Sequence, residues 1–140
     1  MRPFSLLLLI LILTGCSQKK ITHEDLTHLN GYWEIDTVTF PDGTTKEYKV
    51  NTSVDYIEIN SLKGYRKKMH PKFDGTFSTS NDAEQFTILE TKDGFIMFYK
   101  TNLSDWEEQI VDVSQNHFSV KNKENVTYIY KRFLPINIEK

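Results

Sequence analysis

From Gly31 onwards apolar and polar residues alternate in short runs, broken by turn signals about every 8 to 12 residues. Tyr, Phe, Val, Ile and Thr fill these runs, and their period of two is that of a strand whose neighbouring side chains point to opposite faces. The runs span 31–40, 45–50, 54–61, 64–69, 72–79, 84–91, 95–101, 106–113, 116–121 and 125–133, several of them halves of one bent strand. This pattern predicts an all-β antiparallel sandwich or barrel. Asp42-Gly43 and Asp93-Gly94 are turn dipeptides, and the second, between Thr87-Ile88-Leu89 and Phe95-Ile96-Met97, marks the clearest hairpin.

The first run places Gly31, Trp33 and Ile35 on one face, with an indole large enough to plug one end of a closed sheet. Its apolar positions then change parity, from Trp33 and Ile35 to Val38 and Phe40. A β-bulge at Asp36 and Thr37, bending the strand for barrel closure, accounts for the change, as does an ordinary strand end. Before this run, Thr22-His23-Glu24-Asp25-Leu26-Thr27-His28-Leu29 reads as a short helix of one or two turns. Thr22 caps it, Glu24 and Asp25 suit its positive end, and Leu26 and Leu29 share a side. His23 and His28 lie roughly 140° apart around such a helix, which does not suit a shared metal.

The N-terminus is of another kind. Arg2 precedes an apolar run from Phe4 to Leu13, ten residues against the roughly 20 that span a bilayer. Leu13-Thr14-Gly15-Cys16 ends the run and resembles the lipobox of bacterial lipoproteins, with Cys16 the one cysteine of the chain. The resemblance implies a signal peptide over 1–15, an acylated Cys16 with a polar tether over 16–21, and a domain over 22–140. Acyl chains contribute about 0.8 kcal/mol per buried CH₂, so two or three anchor the protein to a lipid bilayer. Ser17 after the cysteine, rather than Asp, and a tether without acidic residues imply the outer membrane, facing the periplasm. An ordinary secretory signal with an incidental cysteine is the alternative.

Removal of the leader takes Arg2 away and leaves 16 basic against 19 acidic residues, a balance that gives no reason to expect nucleic acid. With Cys16 acylated, no disulfide forms within the chain, and the single domain depends on its core.

Leu29-x-Gly31-x-Trp33 at the head of an all-β chain, with Tyr128-Ile129-Tyr130-Lys131-Arg132 near its end, resembles the lipocalins, more closely the lipocalin-like lipoproteins of bacterial envelopes. The resemblance implies an antiparallel up-and-down β-barrel of eight to ten strands, preceded by the short helix. It also implies that Arg132 packs across Trp33 beside Gly31 to close the barrel. The chain departs from the family pattern in three respects. Thr101-Asn102-Leu103-Ser104-Asp105-Trp106 is a loose echo of the Thr-Asp-Tyr motif, the usual disulfide is absent, and eight residues after Arg132 are too few for the long C-terminal helix.

Alternation nominates Phe73, Phe77, Phe86, Ile88, Phe95, Met97, Tyr99, Ile110, Tyr128 and Tyr130 as ring and aliphatic positions facing the lumen. They line a pocket for a small apolar or amphipathic ligand, or they fill the interior completely. The first outcome makes the protein a carrier. The second makes it an envelope interaction or assembly module with no internal ligand. Phe95-Ile96-Met97-Phe98-Tyr99 is apolar on both faces, so Ile96 and Phe98 need cover, from the apolar tail 133–138 or from a protein partner.

Residues 63–72 carry five cations. Of these, Arg66 and Lys68, with Tyr65, are candidates for a rim that holds an anionic headgroup, and Trp106 for a guard of the mouth. Enzymatic activity is not expected. Glu107 and Glu108 are adjacent and point to opposite faces, unlike the paired carboxylates of glycoside hydrolysis. His70 and His117 lack ligand-spaced partners, so no metal site is expected, and no motif points to a cofactor or a nucleophile.

Overall fold

The computed structural model describes residue 15 and residues 18–135; Cys16, the leader and the tail from 136 lie outside them. The chain enters through a reciprocal pair of bonds in which Thr22 N donates to Asp25 Oδ2 at 2.8 Å and Asp25 N donates to Thr22 Oγ1 at 3.2 Å. These bonds brace the entry to a 3₁₀ helix, Asp25–Leu29, where the sequence predicts a short helix of one or two turns. The three-residue period of a 3₁₀ turn suits Leu26 and Leu29, both buried, and the extended backbone at Asn30 ends it before an α-helix is established.

Nine strands follow: β1 Gly31–Thr39, β2 Thr45–Glu47, β3 Val54–Asn60, β4 Lys63–Pro71, β5 Phe77–Thr91, β6 Gly94–Lys100, β7 Asp105–Val113, β8 His117–Asn122 and β9 Thr127–Arg132. All pairings are antiparallel. The sheet runs β2-β1-β3-β4-β5-β6-β7-β8-β9, and β9 returns to pair with β1, so that eight strands close an up-and-down barrel with β2 as an extra strand. On its other edge β1 pairs with two strands in succession, Gly31 to Trp33 with β3 and Thr37 to Thr39 with β2.

The parity change in β1 is a bulge. Against β9 the register shifts between Ile35 and Thr37, which keeps both Trp33 and Val38 buried while the strand bends. The run 72–79, by contrast, is not a strand. Phe73-Asp74-Gly75-Thr76 is a turn built like Pro41-Asp42-Gly43-Thr44: in each, the Asp Oδ1 accepts from both the N and the Oγ1 of the Thr, and the Gly has positive φ. Residues 77–79 instead begin the long β5, which a register shift after Lys67 bends against β4.

The interior below the middle of the barrel is filled. Leu26, Leu29, Trp33, Ile57, Phe86, Ile88, Phe95, Met97, Ile110, Val113, Phe118 and Val120 form one buried cluster. Gly64 of β4 has no room for a side chain, because a Cβ there would collide with the carbonyl of Glu58 and the ring of Phe86. At the closed end Arg132 spans the plug, its guanidinium carbon 3.7 Å from the Trp33 ring centroid. Its nitrogens donate to the carbonyls of Asn30 (2.6 Å), His28 (2.8 Å) and Gln115 (2.8 and 3.0 Å). The indole of Trp33 donates to Leu29 O at 2.8 Å. Gly31, with φ +118°, leaves room for the guanidinium, which lies 2.5 Å from where a Cβ would stand.

Candidate functional site at the mouth of the barrel

Above this apolar floor the inward positions turn polar. Arg66 of β4 is buried, and its guanidinium donates to Asp55 Oδ2 at 2.8 Å and to the hydroxyl of Tyr130 at 2.7 Å, with Tyr99 at 3.5 Å. Lys68 Nζ meets the other oxygen of Asp55 at 2.8 Å. Burial opposes the charge of Asp55, but Arg66 and Lys68 together outweigh it and hold the carboxyl below its ordinary range. Burial also raises the hydroxyls of Tyr99 and Tyr130, which therefore stay protonated beside the guanidinium.

This layer is the bottom of a cavity of about 260 Å³, lined by Asp55, Arg66, Lys68, Asp82, Glu84, Trp106, Glu108, Tyr128 and Tyr130. Trp106 stacks on Tyr99 with ring centroids 4.9 Å apart and planes 7° apart. Two residues on, Glu108 faces the same cavity and keeps one oxygen buried without a hydrogen-bond partner. Burial pushes the Glu108 carboxyl up; Arg66 opposes this in part, and Glu84 and Asp55 add to it.

The residues expected in the lumen divide into four groups. Phe86, Ile88, Phe95, Met97 and Ile110 are in the packed floor, whereas Tyr99 and Tyr130 form the polar layer above it and Tyr128 lines the cavity wall. Phe73 and Phe77 are outside the barrel. Phe73 is 91% exposed at the tip of the β4–β5 hairpin, and Phe77 stacks on the outward-facing Tyr32 at 4.6 Å, because Asp74-Gly75 turns the chain where alternation implied a continuous strand.

Among the expected rim residues, Arg66, Lys68 and Trp106 meet in the cavity. Tyr65 does not: its odd parity sends it outward, where its hydroxyl donates to Glu58 at 2.8 Å. The basic stretch therefore does not act as one cluster. Asp55, Asp82, Glu84 and Glu108 were not among the expected site residues. Asp55 shares the parity of Ile57, and Glu108 that of Trp106 and Ile110, and this was the available signal.

Ile96 and Phe98 are half-buried on the outside of β6. The tail does not cover them within the described residues: Phe133 N donates to Tyr32 O at 3.0 Å, against β1, on the far side of the barrel. There Phe133 and Pro135 join Val50, Thr52, Pro71, Phe73 and Phe77 around an external groove of about 320 Å³.

Among solved structures, the chain is similar to a lipocalin-like protein from Bacteroides uniformis at 11% identity, with a TM-score of 0.47 over 76% of this chain and 99% of that one. An uncharacterized protein from Bacteroides eggerthii gives 9% identity and a TM-score of 0.47, over 75% and 99% of the two chains. Lobster apocrustacyanin A1 gives 10% and 0.41, over 79% of this chain and 64% of its own. No family model matches the chain, and no curated protein matches it. The barrel assignment rests on the strand pairing itself.

Proposed function

We propose that the protein is a lipid-anchored, lipocalin-like lipoprotein of a bacterial envelope, held in the outer membrane facing the periplasm by acylated Cys16, which carries a small amphipathic molecule in the mouth of its barrel. The observation that supports this is the cavity of about 260 Å³ at the open end, where stacked aromatic rings and charged groups meet above a packed floor. Its size is below the usual range of roughly 300–1,000 Å³ for ligand pockets and suits a compact molecule held at the mouth, not a long chain threaded through the lumen. The ligand's apolar part would lie against Trp106 and Tyr128, and its polar part would meet the groups on the opposite wall.

Full-length protein purified in detergent and analysed by native mass spectrometry should carry a small molecule that is lost in Trp106→Ala. A reproducibly empty wild-type protein would count against the carrier. Cys16→Ser should move the protein from the membrane fraction to the soluble one; unchanged sedimentation would remove the anchor from the proposal.

The external groove supports a second reading, an interaction module, because Phe73 and Val50, both on its lining, are 91% and 88% exposed. Photo-crosslinking from position 73 and from position 106 separates the two. A defined protein adduct at 73 with none at 106, in a protein that carries no small molecule, favours the module.

A further inference from the structure

The charges around the mouth cavity do not balance, and the imbalance identifies the kind of molecule that fits. Arg66 and Lys68 are its two cations, and both are bound to the same carboxylate, one to each oxygen of Asp55 at 2.8 Å. Asp82, Glu84 and Glu108 face the same space with no cation partner among the described residues. Arg66 is further occupied by the Tyr130 hydroxyl, and its guanidinium lies 4.9 Å from that ring's centroid, so little of it is free to receive an anion. Glu108 lines the cavity while one of its oxygens is buried without a partner, so its charge is poorly compensated and a cation in the cavity beside the side chain offsets that cost.

We propose, building on the carrier reading, that the mouth cavity selects an organic cation, an amine or quaternary ammonium group attached to a small apolar body. The ammonium sits between Glu108 and the exposed face of Trp106, and the apolar body extends towards Tyr128. One face of Trp106 is already taken by Tyr99, which fixes the orientation of the other. An indole face beside a carboxylate attracts a cation both through the ring quadrupole and through charge. A metal ion fits the site less well, because among the described residues no three His, Cys, Asp or Glu side chains converge closely enough to hold one.

Isothermal titration calorimetry on the full-length protein in detergent, with benzylammonium, benzyltrimethylammonium and benzoate as probes, tests this. Both cations should saturate one site while benzoate releases no heat of binding. Glu108→Gln should weaken benzylammonium at least about tenfold. Glu58→Gln, on the outer face, should leave it unchanged, and matching near-ultraviolet circular dichroism will show that both variants fold. If benzoate binds as well as the cations, the cavity remains a ligand site and the cation assignment fails. It also fails if benzylammonium is indifferent to Glu108→Gln, or if neither cation binds. The carrier reading is judged separately, by the co-purified molecule.

Discussion

Arg66 and Asp55 form an ion pair inside the barrel, 2.8 Å apart, with side chains only 10% and 6% exposed. Such a pair does little for stability when both partners are present and much harm when one is missing. Arg66→Met should therefore cost about 3–5 kcal/mol, because Asp55 keeps only Lys68. The double variant Arg66→Met with Asp55→Leu should recover most of the loss. Urea denaturation of the four proteins in the cycle measures the coupling, and additive losses would contradict it.

Asp55 and Glu108 should respond to pH with opposite signs. Because Asp55 is held below its ordinary value, its contribution is present above the unfolded-state carboxylate range and is lost as pH falls through its folded value. Glu108 is raised, so the unfolded chain releases that proton first and stability falls as pH rises through the unfolded value, about 4.3. Glu108→Gln should therefore be more stable than wild type near neutral pH, by about 1–2 kcal/mol, and equal to it near pH 3. Thermal melts of the ligand-free proteins across this range provide the check.

At the closed end, Trp33→Ala removes a fully buried indole that also meets Phe118 edge-on at 4.7 Å, and should cost about 3–5 kcal/mol. Gly31→Ala should be as damaging for a different reason. It places a methyl group against the Arg132 guanidinium at a backbone φ of +118°, which L side chains rarely adopt. Chemical denaturation of both variants checks this, and a loss below 1 kcal/mol in either would contradict the closure described.

The β4–β5 hairpin reaches β1 through Phe77, stacked on Tyr32 with planes 10° apart. Phe77→Ala should release the hairpin and speed limited proteolysis within 72–76, while ligand binding at the mouth stays unchanged. Phe73→Ser, at an exposed tip, should change stability by less than about 0.5 kcal/mol.

Much of the barrel was legible in the chain because strand period and aromatic content are local signals. The parity change after Ile35, the Asp93-Gly94 hairpin and the parity of Phe86, Met97 and Tyr99 all appear in the structure as the pattern implied. Where pattern and structure differ, a competing local signal decides the outcome. Asp74-Gly75 carries the same turn chemistry as Asp42-Gly43 but lay between two phenylalanines whose spacing mimicked a strand. Within the site, the charged residues share the parity of the apolar lining but carry no apolar signal of their own. That Asp55 takes both Arg66 and Lys68, leaving Glu108 alone, is a relation between β3, β4 and β7, and no local pattern records it.

The ladder between β1 and β9 joins the two ends of the sheet, and Arg132 reaches back to Asn30 across 102 positions of sequence. Every other ladder of the barrel links strands that are neighbours in the chain or separated by β2 alone. The hairpins can therefore assemble in the order in which they are made, but β1 keeps an unpaired edge, and Trp33 an uncovered face, until the last strand arrives. Before then the chain is an open sheet able to pair with another copy of itself. Folding should be slow at this final step, which must close the longest loop in the molecule. A chain truncated before Thr127, and so lacking β9, should aggregate rather than form a smaller barrel.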